Sequence, residues 1–117
     1  MNGRKPTRYL LNSAGEPVPE PDLMTWAKGF ETCDRKVKQE QVGEFWVSTV
    51  FLGLDYNWEP SGPPILWETM VFLKDHEGIR YGEDIDMDRC SGSREQALAM
   101  HAAMVEHVAS IPVIKEE

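Results

Sequence analysis

Two apolar segments, Phe45 to Gly53 and Ile65 to Leu73, constrain the fold of this chain more than any other feature. Both are rich in β-branched and aromatic residues and are largely apolar at odd and even positions alike. That pattern is typical of central strands covered on both sides. The linking segment 54–64 contains Asn57, Gly62 and three prolines, so we expect an irregular but stiff loop between antiparallel strands.

The remaining signals predict an α+β fold in a single domain spanning residues 1–117. Asp22 is a candidate N-cap for a short helix, and Ser93 with Gln96 forms a capping box for a longer one. Three prolines, at 17, 19 and 21, predict a connector without regular structure. The expected order is β-α-β-β-β-β-α, an antiparallel sheet of four to five strands with two helices packed on it.

Composition limits the setting and the partners. The formal net charge is −8, and residues 1–50 carry equal numbers of acidic and basic side chains, so the excess lies in residues 51–117. An acidic surface repels phosphate, so direct nucleic-acid binding is disfavoured. No apolar run approaches the roughly 20 residues that span a bilayer, and no secretory signal is present, so we expect a cytoplasmic protein without membrane partners. Cys33 and Cys90 are therefore expected to be reduced thiols.

Three segments carry a family resemblance: Val47–Asp55, Gly62–Phe72 and Ser93–His101. Together they resemble a group of small phage- and prophage-encoded proteins of hypothetical function, most specifically in Pro-Pro-Ile-Leu-Trp-Glu-Thr-Met-Val-Phe. The resemblance implies a viral accessory protein in a bacterial host cytoplasm. It brings no activity, cofactor or catalytic residue.

Catalytic motifs are not evident in the sequence, so the leading hypothesis is a non-enzymatic protein that binds a host protein, a phage protein or itself. Tyr56 and Trp58, in the proline-containing loop, are typical of a binding surface. The alternative is that Trp58 folds back over the hairpin. The apolar excess of residues 45–52 and 65–73 also suggests a homodimer through the sheet or its edge.

A small ligand-binding domain or enzyme is the competing hypothesis. Glu68 shares a strand face with apolar residues, and Asp55 follows the preceding strand, so the two carboxylates could lie together with Ser48 or Thr49. The other interpretation is a structural hydrogen-bond network that ties the loop down. No cofactor is predicted.

The acidic stretch, residues 75–88, has three interpretations. Asp84, Asp86, Asp88 and Glu95 match positions 1, 3, 5 and 12 of a calcium loop, so weak calcium binding is an alternative function. Arg89 occupies the position that requires glycine, and for that reason no metal ligand is assigned. The same aspartates could imitate a phosphate track and inhibit a host defence enzyme. The third interpretation is a solvated strand face. His76, His101 and His107 lack ligand spacing and are expected to be structural or solvated.

Overall fold

The computed structural model describes the backbone of residues 5–75 and 78–111 and the side chains of residues 5–73 and 86–111. The fold is α+β, as expected from the sequence. Its elements are β1 (Tyr9–Leu11), β2 (Pro17–Pro19), α1 (Leu23–Thr32), β3 (Lys36–Val42), β4 (Phe45–Phe51), β5 (Ile65–Asp75), β6 (Gly78–Ser91) and α2 (Arg94–Ala109).

The four longer strands form an antiparallel meander in the order β3-β4-β5-β6. β4 and β5 occupy its centre, where the two apolar segments were predicted to lie. Their register pairs Val47 with Val71, Thr49 with Thr69 and Phe51 with Trp67. Because directly paired residues share a face, these six side chains form one continuous buried layer.

Helix α2 packs across this layer and contacts all four strands. It begins with the predicted capping box, in which the Ser93 and Gln96 side chains bond each other's backbone N–H groups. Its inward face is buried and consists of Ala97, Met100, His101, Met104 and Val108. The apolar faces of α2 and the sheet are therefore buried against each other, which stabilises the fold.

The prediction that residues 17–21 lack regular structure is wrong in part, because Pro17–Pro19 forms β2 and pairs with β1. Leu10 is opposite Val18, so Pro17 and Pro19 stand at alternate positions of a sheet edge. Proline is tolerated there because its missing N–H is not needed for pairing. The prolines shape a short edge strand instead of excluding one.

Helix α1 packs against β1 at the end of the main sheet. Asp22 is its N-cap, as predicted, and accepts from the Thr25 backbone N–H at 2.8 Å. The indole Nε1 of Trp26 donates to the carbonyls of Tyr9 and Gly53, at 3.1 and 3.2 Å. Neither α1 nor α2 is long and apolar enough to cross a bilayer.

Candidate functional site

The loop Leu54–Pro64, between β4 and β5, carries the most exposed large apolar side chain in the described part of the chain. Trp58 is 95% exposed, while Leu54 and Tyr56 are 39% and 38% exposed. Asp55 and Asn57 alternate with them and are more buried. Residues 54–58 thus reverse the usual arrangement, since their apolar side chains face solvent and their polar side chains face the protein. We call the surface formed by Leu54, Tyr56 and Trp58 the aromatic stripe, after its two aromatic members.

The Asp55 carboxylate holds this segment from the inside. Its side chain is only 1% exposed, and Oδ2 lies 2.9 Å from the Lys5 ammonium. Oδ1 accepts from the backbone N–H groups of Asn57 and Ile65, at 2.7 and 3.0 Å. Burial alone would raise the pKa of Asp55, but the hydrogen bonds from Lys5, Asn57 and Ile65 outweigh it and hold the pKa below the ordinary 3.8. Asp55 is therefore an ionised bridge between the two ends of the loop.

Lys5 fixes the backbone on both sides of the exposed tryptophan. Its ammonium donates to the carbonyl oxygens of Asn57 and Glu59, at 2.9 and 2.6 Å. Together with the Asp55 ion pair, these two bonds surround the Lys5 ammonium with three oxygen atoms. The backbone around Trp58 is therefore anchored while its indole stands in solvent.

The Asn57 side chain closes the far half of the loop. Its Nδ2 donates to the Pro63 carbonyl at 2.8 Å, and its Oδ1 accepts from the Glu59 N–H at 3.0 Å. Gly62 lies against this amide so closely that a Cβ at position 62 would collide with Asn57 Nδ2. Internal hydrogen bonds, glycine packing and prolines make this an ordered surface loop.

Tyr56 joins the aromatic stripe to the centre of the sheet. The guanidinium carbon of Arg89 lies 4.8 Å from the Tyr56 ring centroid, which is a cation–π contact. Arg89 Nε also donates to Oε2 of the buried Glu68 at 2.7 Å. Glu68 therefore orients a cation that supports one member of the stripe.

The competing hypothesis of a ligand-binding or catalytic site places two carboxylates together. In the structure each carboxylate pairs with a different cation, Asp55 with Lys5 and Glu68 with Arg89. Glu68 is opposite Val50, whereas Thr49 is opposite Thr69 on the other sheet face. Ser48 Oγ accepts from Gln39 Nε2 at 2.8 Å. These contacts match a structural network that ties down the loop and the sheet.

The acidic stretch lies mostly on β6. Asp86 Oδ2 is 3.2 Å from His107 Nε2, and Asp86 and Asp88 line a cleft of about 330 Å³ between β6 and α2. A register shift places Asp84 opposite Phe72 but Asp86 opposite Val71, which interrupts strict alternation along the strand. The Asp84 side chain lies outside the described residues, as does His76.

The calcium-loop interpretation has little geometric support. β6 continues as a strand to Ser91, and Glu95 is in the first turn of α2, so the backbone does not wrap as a calcium loop does. Among the residues that the structure describes, no three His, Cys, Asp or Glu side chains are grouped to hold a metal.

A buried polar network around His101 was not anticipated from the sequence. Thr49 Oγ1 lies 2.7 Å from His101 Nδ1 and 2.5 Å from Thr69 Oγ1. His101 Nε2 lies 2.9 Å from Glu40 Oε1. The bond from His101 is the main cause that lowers the pKa of Glu40 below its ordinary 4.5, against the opposing effect of burial.

This network resembles a hydrolase triad in its order of hydroxyl, imidazole and carboxylate. However, Thr49 is 0% exposed and His101 is 1% exposed, beneath α2. A substrate carbonyl could reach Thr49 only if α2 separated from the sheet. The expectation that His101 is structural agrees with this placement.

Both cysteines are free thiols. Burial, with a smaller contribution from the Asp88 carboxylate, raises the pKa of Cys90 above its ordinary value of 9.0. Cys90 is therefore mainly a neutral thiol at physiological pH and a poor nucleophile.

Comparisons with protein-family models, curated proteins and solved structures gave no match. The aromatic stripe and the residues that support it are therefore the features that indicate a function.

Proposed function

We propose that this chain is a protein-binding module whose contact surface is the aromatic stripe, with Trp58 as its central residue. The observation that carries the proposal is the 95% exposure of Trp58 on a backbone anchored from Lys5, Asp55 and Asn57. Exposing an indole loses the apolar burial that tryptophan normally contributes to folding. A loop whose backbone is anchored while its indole stands in solvent is therefore suited to binding.

The energetics favour a specific partner. Tryptophan, tyrosine and arginine are the residues most often found at binding hot spots, where truncation costs about 2 kcal/mol or more. Arg89, Tyr56 and Trp58 place all three types on or beneath this surface. Because the loop is already ordered, binding requires less loss of conformational entropy than a flexible loop would.

The chemistry of the surface favours a protein over a nucleic acid. The net charge of −8 opposes approach to phosphate, and Glu59 adds an exposed carboxylate beside Trp58. The resemblance to phage- and prophage-encoded proteins supplies the proposed setting, a bacterial cytoplasm with a host or phage protein as partner. Binding there would be the accessory function.

The test is affinity capture from bacterial lysate with three baits: wild type, Trp58→Ala and Leu98→Ala. Leu98 is the matched control because it is exposed to the same extent as Leu54 but lies on α2. Captured proteins are identified by mass spectrometry, and the affinity of each purified candidate is measured by calorimetry. We expect Trp58→Ala to weaken binding about 30-fold, corresponding to a hot spot of about 2 kcal/mol, and Leu98→Ala to leave it unchanged.

Tyr56→Ala should weaken the same interaction, since it removes a second stripe residue and its contact with Arg89. Partners bound equally by wild type and both stripe variants would contradict the proposal. In that case the contact surface would lie elsewhere on the chain.

A further inference from the structure

We infer that this chain forms a twofold dimer in which the β3 strands of two copies pair antiparallel and join their sheets. In the described part of the chain, β3 (Lys36–Val42) pairs with β4 on one side and with no strand on the other, so it is an edge of the sheet. An edge strand offers unpaired backbone groups to another chain. β3 contributes nothing to the aromatic stripe, so this inference goes beyond the proposed function.

The hairpin between β3 and β4 determines which backbone groups of β3 face the open edge. Val42 and Phe45 flank a two-residue turn, so they exchange backbone hydrogen bonds. In an antiparallel ladder every second residue bonds to the neighbouring strand, and the residues between them point their N–H and C=O groups the other way. Gln39 and Gln41 therefore present the groups that a second strand can bond.

The charges on β3 are self-complementary about Gln39. When Gln39 of one copy is opposite Gln39 of the other, each Lys38 is directly opposite the other copy's Glu40. The Lys38 and Glu40 side chains are 55% and 37% exposed, and the two charges lie 3.6 Å apart within one chain. Directly opposite residues share a sheet face and have their Cβ atoms about 4.5–5.5 Å apart. Two lysines and two glutamates would therefore alternate around the twofold axis.

Glu40 can accept the cation of a second copy. Among the described residues, its contacts with Lys38 and with His101 both involve Oε1, which leaves Oε2 for the other chain. Lysines and a register shift, here between Lys36 and Lys38, are features by which edge strands avoid unspecific pairing. Such an edge selects a strand that places a carboxylate opposite Lys38, and a second copy of β3 is such a strand.

Other twofold axes along this edge are less favourable. An axis at Val37 would place Lys36 opposite Lys38, and like charges directly opposite each other are destabilising. An axis at Gln41 would pair only residues 40–42 of the two strands. The axis at Gln39 is therefore the one that matches both the length and the charges of β3.

Helix α2 adds an apolar flank to the same interface. Leu98, Ala102 and Val105 follow each other at intervals of four and three residues, so they share one side of the helix. His107 lies on the opposite side, against β6, while His101 bonds to β3 and β4, so this flank lies towards β3. Leu98 and Ala102 are exposed and Val105 is half-buried. In the joined sheet both α2 helices lie on one face, and the axis beside β3 brings these flanks towards each other.

The first test is sedimentation velocity on wild type, Lys38→Glu and Lys28→Glu. Lys28 is exposed on α1, so Lys28→Glu is a control with the same change of charge away from β3. We expect a wild-type dimer, and we expect Lys38→Glu to associate at least about 30-fold more weakly because it places two acids opposite each other twice. Lys28→Glu and Trp58→Ala should dimerise as wild type does.

Mixing Lys38→Glu with Glu40→Lys gives the decisive measurement. One copy then carries two acids on β3 and the other carries two lysines, so opposite charges meet at both positions. Each variant alone should be monomeric, and the mixture should form a dimer containing one copy of each. Absence of this rescue between two folded variants would overturn the inference, as would a wild-type monomer or a dimer that Lys38→Glu does not weaken.

Amide exchange tests the interface without relying on Glu40→Lys, whose replaced side chain bonds to the buried His101. The backbone N–H groups of Gln39 and Gln41 should exchange slowly in wild type and faster in Lys38→Glu, because they are hydrogen-bonded only across the dimer. Equal exchange of these two amides in dimeric wild type and in monomeric Lys38→Glu would show that β3 is not the interface.

The outcomes separate this inference from the proposed function. Leu98→Ala should weaken self-association and leave capture through Trp58 unchanged, since Leu98 lies on α2 and not on the aromatic stripe. A monomeric wild type that captures a partner through Trp58 would overturn the dimer and leave the proposed function standing. A dimer joined through β3 whose captures do not depend on Trp58 or Tyr56 would overturn the proposed function and leave the dimer standing.

Discussion

The Thr49 hydroxyl oxygen lies 2.7 Å from Nδ1 of His101, in the buried layer between the sheet and α2. The Glu40 carboxylate can only accept, so His101 Nε2 carries a proton, and in the neutral ring Nδ1 accepts from Thr49. Thr69 in turn can donate to Thr49. The chain of bonds connects three strands to α2 and fixes one position of the helix over the sheet.

Replacing Thr49 with valine should destabilise the fold by about 1–3 kcal/mol. Valine keeps the shape but leaves His101 Nδ1 and Thr69 Oγ1 with an unsatisfied bond in a buried site. The measurement is the free energy of unfolding in urea. Thr69→Val should lower the free energy of unfolding by less in the Thr49→Val background than in wild type, because the Thr49 hydroxyl is already missing there. Additive effects of the two substitutions would show that the bonds are independent.

The pKa of Asp55 predicts a loss of stability in acid. A folded pKa below the unfolded value of 3.8 means that the stabilising contribution is complete above pH 3.8 and disappears as the pH falls through the folded pKa. Asp55→Asn removes the ion pair with Lys5 but keeps an acceptor for the Asn57 and Ile65 N–H groups. The variant should be less stable than wild type at neutral pH and should converge with it in acid.

The measurement is the melting temperature of wild type and Asp55→Asn from pH 7 down to about pH 2. Glu40→Gln serves as the control, because the pKa of Glu40 is also lowered but its partner is His101. The Glu40→Gln variant should retain the acid sensitivity that Asp55 causes. A constant difference between wild type and Asp55→Asn across this range would contradict the assignment.

Local patterns predicted the central strands and the capping box of α2, which depend on residues close in sequence. The turn between β3 and β4 is also local, since Val42 pairs with Phe45 across it and Gly43 has the positive φ of +62° that a tight hairpin favours. Apolar residues at both odd and even positions of β4 and β5 likewise predicted their central place in the sheet.

The cations that support the site come from distant parts of the sequence, and these contacts have no local signal. Lys5 reaches residues more than 50 positions away, and His101 and Glu40 are 61 positions apart. The sequence could therefore identify Tyr56 and Trp58 as candidates but not the exposure of Trp58. Nor could it show that Asp55 and Glu68 would each be matched to a different cation.

Trp58→Ala should leave stability within about 0.5 kcal/mol of wild type, because its side chain has almost no contact to lose. Trp67→Ala is the matched control. Trp67 is fully buried and its Nε1 donates to the Gly92 carbonyl at 2.9 Å, so we expect a loss of about 3–5 kcal/mol. Urea unfolding of both variants tests this contrast. A marked loss in Trp58→Ala would indicate that its indole packs on the protein in solution and would weaken the proposed binding role.

Gly62→Ala should disorder the loop while leaving the sheet folded. A Cβ at position 62 collides with the Asn57 amide, so the bonds from Asn57 to Pro63 and Glu59 must break or shift. We expect a stability loss of about 1–3 kcal/mol and faster amide exchange across residues 54–64. Binding through Trp58 should weaken about tenfold, although the stripe itself is unchanged, because the loop must be ordered again on association. Ser61→Ala, at the exposed neighbouring position, is the control and should change neither quantity. If Gly62→Ala loosened the loop without weakening binding, the anchored backbone would not be what prepares Trp58 for its partner.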